Sequence, residues 1–356
     1  MHIKQILALS FTSLVFTGAG CFGDTTASTT DGGVFVSGNK GETWEQRIAV
    51  PTTSGVAGSI ANVSSRTLAI DPNNRNAWYL GTEQNGVMYT LDRGATWNQV
   101  AALSQGTVYS VAVDPKDTCT VYATSGRDIL RTSDCLRSFQ KVYSESREGQ
   151  LMLQVAVDPN NSNILFAASS SGDLVKSMDA GKTWAVATRF QDEIRQIFVY
   201  PGNSQHIYVG LLQGGLRKSV DGGATWLNIT PDASKYSGAT TFRALAWAKK
   251  YGNETLVLAT RYGLFTTNNG GDTWTPLDLV TAPGEVTIFG LAVNPANSNE
   301  IMYSTAAGKI SNVFLTTDGG KTWSAKKAPS SRAMYRLQFD TEGTGGVVAA
   351  TFAIPQ

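Results

Sequence analysis

Histidine is almost absent from this sequence. His2 and His206 are the two copies in 356 residues. A Ser-His-Asp relay would have to use His206, which sits in the turn Asn203-Ser-Gln-His, and a lone turn histidine is ordinarily solvated. Zinc sites of the His or Cys type fail on ligand count. No P-loop, dinucleotide fingerprint or EF-hand loop occurs, so neither a metal nor a cofactor is expected. Carboxylates are the remaining catalytic group, since glycoside hydrolysis needs two of them flanking one bond. Glu83, Asp128, Glu148, Asp173, Asp192, Glu193 and Glu285 could supply them, but their spacing singles out no pair.

Arginine and aromatic residues form the other set with chemistry to offer. Arg66, Tyr109, Leu153, Arg195, Arg243, Phe289 and Tyr335, with Arg336 beside the last, stand five residues before the Asp or equivalent that ends an apolar run, and all but Leu153 are Arg or aromatic. Arg127, Arg261, Tyr262 and Lys309 fall in loops expected on the same side. Guanidinium forks pair with carboxylates and rings supply area at low entropy cost, which is the composition of a partner-binding surface. The same arginines could instead form rim salt bridges to Glu83, Asp128 or Glu148.

What would position these residues is a repeat. A phrase ending in Thr-Trp, with Asp or Asn five residues before the aromatic, returns at Trp44, Trp97, Phe139, Trp184, Trp226, Trp274 and Trp323, in steps of 53, 42, 45, 42, 48 and 49. Its acids are Asp92, Asp134, Asp179, Asp221 and Asp318, with Asn39 and Asn269 as departures. Each step is the length of one four-stranded propeller blade. A second phrase, apolar-Ala-apolar-Asp-Pro, supplies the inner strands (Leu68 to Pro72, Val111 to Pro115, Val155 to Pro159). In the blade around Phe139 the expected strands are Val108 to Val113, Thr120 to Thr124, Asp128 to Thr132 and Phe139 to Tyr143.

The two phrases are out of phase. The chain enters with a Thr-Trp phrase that no inner strand precedes, and leaves with Met334 to Asp340 and Val347 to Phe352, which no such phrase follows. Joining the ends makes a seventh blade and removes open sheet edges. The fold class expected is therefore all-β, a seven-bladed propeller filling residues 31–356. At each Thr-Trp turn the Asp carboxylate accepts backbone N–H groups, Gly supplies positive φ and the Trp packs on the hairpin. The first strand residue of each inner strand then opens at the channel mouth, on the face away from these turns.

The Thr-Trp phrase resembles the Asp-box, or BNR repeat, of sialidases and many other propellers. That resemblance implies a folding device on the outer rim, away from the ligand face. A sialidase would be expected to have six blades and an Arg-Ile-Pro phrase, and xyloglucan-cleaving enzymes usually carry two propellers. The single seven-bladed ring with degenerate boxes and an arginine-bearing channel face is similar to the photosystem II assembly and stability factor family. This likeness implies a non-enzymatic scaffold that holds a protein or peptide partner, such as a membrane-protein precursor. A carbohydrate-active propeller, glycosidase or glycan-binding, stays open as the alternative.

Residues 1–20 read as a signal peptide: Lys4, an apolar run from Ile6 to Phe16, then small residues before Cys21. Cys21 resembles a lipoprotein cleavage-site cysteine, and residues 21–30 a tether. The expectation is an exported, membrane-anchored monomer facing the periplasm or cell exterior. Cys119 and Cys135 begin and end neighbouring antiparallel strands, so they are expected to form a disulfide in the blade whose box has lost Gly and Trp. The formal net charge of +1 falls to zero without Lys4, which argues against nucleic acid as partner.

Overall fold

A computed structural model describes residues 31–53, 58–250, 253–307, 310–340 and 346–353. It contains seven four-stranded antiparallel sheets and one two-stranded hairpin, Ala49–Val50 with Gly58–Ser59. The one helical element among the described residues is a 3-10 turn, Ala101–Leu103. Blade I comprises Ser65–Ile70, Trp78–Thr82, Val87–Thr90 and Asn98–Gln99. Blades II to VI follow in chain order with inner strands Val108–Val113, Met152–Asp158, Ile194–Val199, Phe242–Lys250 and Thr287–Asn294. In blade II the strands Val121–Ser125, Asp128–Thr132 and Gln140–Ser144 lie within one residue of their expected bounds.

Blade VII is built from both ends of the described chain, in the order Glu45–Arg47, Val34–Ser37, Val347–Phe352, Ala333–Phe339. Val34 pairs with Ala350 and Ser37 with Val347. The Gly33 N–H donates to Thr351 Oγ1 at 2.8 Å, and the Thr351 N–H returns to the Gly33 carbonyl at 3.0 Å. Ser65 Oγ of blade I donates to the Thr351 carbonyl at 2.7 Å. The predicted closure is thus present, and it is fastened to the next blade as well.

The core lies between blades. Inner and second strands are rich in Val, Leu, Ile and Ala, and facing sheets bury these in clusters such as Trp78, Leu80, Met88 and Trp97 against Val34, Ile60 and Val348. Burying side chains of this size stabilises by about 1.5–3 kcal/mol each.

The boxes explain how the outer hairpins are held. In blade III, Asp179 Oδ1 accepts the Thr183 N–H at 2.8 Å and Oδ2 accepts Thr183 Oγ1 at 2.6 Å, while Ser177 Oγ takes the Gly181 N–H at 2.9 Å. Asn269 keeps the geometry by donating from Nδ2 to Thr273 Oγ1, at 2.9 Å. The turn needs two successive left-handed residues, as at Arg93 and Gly94, φ 60 and 87. Blade II has to place Cys135 and Leu136 there, φ 57 and 70, a conformation that is costly for a branched side chain. The Cys119–Cys135 disulfide closes this turn.

The tryptophans do more than cover their own hairpins. Indole N–H groups reach back to the outer segment of the preceding blade: Trp97 to the Arg47 carbonyl at 3.0 Å, Trp274 to the Ile229 carbonyl at 2.6 Å and Trp323 to the Asp278 carbonyl at 2.9 Å. Trp226 donates to Thr188 Oγ1 at 3.0 Å and meets Phe190 edge-on at 5.1 Å. These four are clamps between neighbouring blades, a role the local phrase does not reveal, whereas Trp184 donates to its own turn at the Gly181 carbonyl, 3.1 Å away.

Two outcomes follow. Replacing Cys119 and Cys135 by Ser, which opens a link spanning 16 residues, should cost about 3 kcal/mol on chain-entropy grounds, read as a melting temperature several degrees lower with no change in circular dichroism. The box acids give a pH dependence. Hydrogen bonds, chiefly from Ser138 and Thr183, hold Asp134 and Asp179 down at about 2. Because the folded carboxylates titrate below their unfolded value, their contribution is complete above about pH 4. It should be lost as pH falls toward 2, and acid unfolding of an Asp134→Asn, Asp179→Asn variant should be less steep over that window.

Candidate functional site

The face opposite the boxes carries the starts of the inner strands and the loops joining second to third strands. The structure divides the arginines predicted there into two groups.

The first group is tied into the ring. Arg66 Nη2 donates to Glu83 Oε1 at 2.7 Å, and its guanidinium lies 4.7 Å from the Phe352 ring centroid. Arg336 donates from Nε and Nη2 to the Arg66 carbonyl at 3.0 and 2.8 Å, and covers Tyr335 at 4.6 Å. Tyr335 in turn packs on Phe352, 5.6 Å between centroids. This set bolts blade VII to blade I. Arg127 is also engaged, donating from Nε to the Glu145 carbonyl at 2.7 Å.

The second group is different. Arg195, Arg243 and Arg261 come from blades IV and V and are all exposed. Arg195 pairs with Glu193 at 2.8 Å. Arg243 and Arg261 have no ion pair or side-chain hydrogen bond among the described residues. Partial withdrawal from solvent, reinforced by the like charges of Arg195 and Arg261, pushes the pKa of Arg243 below its usual value. Tyr262 is not a free contact residue, because it packs against Tyr236 at 5.1 Å and Phe265 at 5.4 Å. That aromatic cluster underlies the loop that carries Arg261.

Beside these arginines opens the central channel, a cavity of about 580 Å³. Phe289, Tyr335 and Arg336 line it as expected, together with Phe198 and Trp247. Gln196 braces the inner strands of blades IV and V, donating to the Leu245 carbonyl and accepting its N–H, both at 2.9 Å. Tyr109 is half-buried on its inner strand and is not part of the lining. Lys309 and Cys21 lie outside the described residues, as do the leader and tether.

Most of the predicted carboxylates are engaged separately, and Asp173 shares a cation with Glu145. Asp128 accepts from Lys141 and Ser144 at 2.8 and 2.6 Å. Asp173 accepts from Arg147 at 2.8 Å, and Arg147 also holds Glu145, driving that carboxyl down to about 2. Asp192 Oδ2 takes the N–H groups of Gln213 and Gly214, at 2.9 and 2.6 Å. The rim bridge through Glu145, Arg147 and Asp173 was not read from the sequence, because its partners sit in different blades. No three His, Cys, Asp or Glu groups are placed to share a metal ion among the described residues.

His206 differs from the expected solvated turn residue. Its Nδ1 lies 3.0 Å from Glu254 of blade V, whose carboxylate also lies 3.5 Å from the buried Lys218. A second blade supplies the partner, so the local turn gave no sign of it. The cluster is at the box end of the seam and remote from the channel mouth.

Comparison with known proteins agrees with this architecture. The family model for the BNR/Asp-box repeat matches residues 314–325. Vacuolar protein sorting/targeting protein 10 of Komagataella phaffii is 32% identical over 82 residues, 22% of this chain and 5% of that protein. Among solved structures, a GH74 enzyme of Niastella koreensis has a TM-score of 0.63 at 20% identity, covering 81% of this chain and 51% of its own. The chain thus spans about half the length of that enzyme. YCF48 of Cyanidioschyzon merolae has a TM-score of 0.62 at 16% identity, covering 81% and 95%. YCF48 bound to D1 peptide has a TM-score of 0.61 at 16% identity, covering 87% and 96%. At these identities the likeness is one of fold, and the repeat match agrees with the Asp-box reading.

The two arginine groups should respond differently to truncation. Arg66→Ala removes an ion pair and a ring contact at the closure seam and should cost about 1 kcal/mol or somewhat more. Arg243→Ala relieves like-charge repulsion and should leave the melting temperature unchanged or raised. Thermal denaturation of the two variants side by side checks both.

Proposed function

We propose that this protein is a non-enzymatic binding scaffold that docks an acidic protein or peptide segment on the channel face. The observation that carries the reading is the trio Arg195, Arg243 and Arg261, in which two exposed guanidiniums have no carboxylate partner among the described residues. Guanidiniums held close together without counter-charge are electrostatically strained until an anion arrives. Phe289, Tyr335 and Trp247 at the adjoining channel supply apolar area for a side chain of the same partner. That a protein of this fold has been solved bound to D1 peptide supports peptide docking as a use of the architecture.

The further parts of the proposal come from the sequence. The chain is exported and tethered by lipid on Cys21, acts as a monomer, and holds a membrane-protein precursor at the membrane outside the cytoplasm. A carbohydrate-active reading is favoured by the GH74 neighbours, a GH74 xyloglucanase of Xanthomonas campestris included. It is the weaker reading, because, of the seven candidate carboxylates, Glu83, Asp128, Asp173 and Glu193 are each paired with a cation, Asp192 holds two N–H groups and Glu285 one, which leaves Glu148 without a second carboxylate in a described pair.

An acidic, aromatic-containing peptide titrated by fluorescence anisotropy should bind the wild-type protein with an affinity that weakens steeply with salt. Replacing Arg195, Arg243 and Arg261 together by Ala should weaken binding by at least about tenfold while circular dichroism is unchanged. Unaltered affinity would retire the patch, and release of reducing sugar from xyloglucan would favour the enzyme.

A further inference from the structure

A crevice of about 210 Å³ opens at the outer end of blade V, where the loop after the outer strand Thr275–Pro276 meets the loop that carries Arg261. It is lined chiefly by the apolar side chains of Pro276, Leu277, Leu279, Val280, Ala282 and Pro283, with Tyr262 on its inner side. Val280 leaves 60% of its surface exposed. At Gly263 a Cβ would stand 3.5 Å from Leu279 Cδ1, so the missing side chain helps to keep the crevice open.

The frame of this crevice is fixed. The Leu277 N–H donates to the Leu264 carbonyl at 2.9 Å and the Gly284 N–H to the Tyr262 carbonyl at 3.1 Å, which fastens the loop at both ends. Trp323 of blade VI holds its middle, donating to the Asp278 carbonyl at 2.9 Å. Tyr262 itself rests on Tyr236 and Phe265. A surface ordered in advance loses less entropy when a partner arrives.

Position decides what the crevice can accept. The sheet of blade V runs outward from the inner strand Phe242–Lys250 to Thr275–Pro276, so Arg243, Arg261 and the crevice follow one another from channel to rim. Arg243 and Arg261 have no carboxylate partner among the described residues. Asp278 lines the crevice, and Glu285, which accepts the Ala282 N–H at 3.3 Å, adds a second negative charge to the same loop. A further acid at the rim would therefore be repelled. A chain crossing this blade meets a stretch that attracts anions and then an apolar one that does not.

We propose that the crevice receives an apolar side chain of the same segment whose carboxylates engage Arg243 and Arg261, so that the segment lies extended across blade V. The inference rests on the scaffold reading above and adds an order to the partner: an apolar residue at the channel, acids next, and an aliphatic or aromatic residue at the rim. An apolar cavity of about 150 Å³ takes up benzene, so a leucine or phenylalanine side chain suits the space.

The probe is a fluorescein-labelled peptide, Phe-Gly-Asp-Asp followed by a Gly-Ser spacer and a leucine, read by anisotropy against the full chain. The spacer is varied so that the leucine falls two, three or four residues after the acids, about 7–13 Å along an extended chain, and each peptide is also made in reverse order. At the best spacing, exchanging the leucine for alanine should weaken binding about tenfold, and exchanging it for aspartate should weaken it further. Val280→Asp, at an exposed position, should bring the leucine peptide down to the level of the alanine peptide. Arg243→Ala should weaken both peptides equally and keep their ratio. No binding to the wild-type protein, or affinity unchanged when Arg195, Arg243 and Arg261 are all Ala, would overturn the scaffold reading and this inference with it. Arginine-dependent binding with equal affinity for the leucine and alanine peptides at every spacing, or a ratio unaltered by Val280→Asp, would overturn this inference alone.

Discussion

The whole arrangement depends on one backbone ladder, between Val34–Ser37 and Val347–Phe352, whose flanking hydrogen bond joins residues 318 positions apart. Closing so long a loop is entropically expensive, though only logarithmically so in its length. What the ladder gains is cooperative: a closed ring lets every blade bury both faces against neighbours, while an open one would expose two large apolar faces and two sheet edges. The polar bonds from Ser65 to Thr351 and from Arg336 to the Arg66 carbonyl show how the seam is reinforced from the next blade. Charged residues clustered at this seam are there first for closure, which is why Arg66 and Arg336 are poor candidates for partner recognition.

Much of the fold was legible because its signals are local. An Asp, a Gly and a Thr at fixed offsets satisfy one turn, and the Asp179 and Asn269 turns do so with near-identical bonds. Repetition of that turn fixed the blade count, and the phase shift between two phrases fixed the closure. The disulfide was legible for the same reason, since its cysteines flank a single strand pair. Each of these inferences needs only a few neighbouring residues.

The candidate site was legible only in outline. The repeat placed Arg66, Arg195 and Arg243 at equivalent positions, but equivalence of position does not fix which charges stand beside each. Glu83 of the same blade pairs with Arg66 and the neighbouring Glu193 with Arg195, while Arg243 has the charges of Arg195 and Arg261 near it. The same limitation hid the tryptophan clamps, the pairing of His206 with Glu254 and the bridge from Arg147 to Asp173. All are contacts between blades, and a repeat phrase describes a blade in isolation.

That contrast bears on why the blade IV and V arginines matter. Elsewhere this chain meets its charges economically: box acids are saturated by their own turns, and rim acids by neighbouring cations. A structure able to satisfy so many ionic groups could have placed an acid, or a neutral residue, beside Arg243 without disturbing its inner strand, since the side chain is exposed and not part of the packed core. Arg243 has like-charged neighbours and no carboxylate partner among the described residues, which under the proposed function leaves it open to an anionic partner. On the proposed function, recognition falls to Arg195, Arg243 and Arg261, while Arg66, Arg336 and the box acids are engaged within the ring.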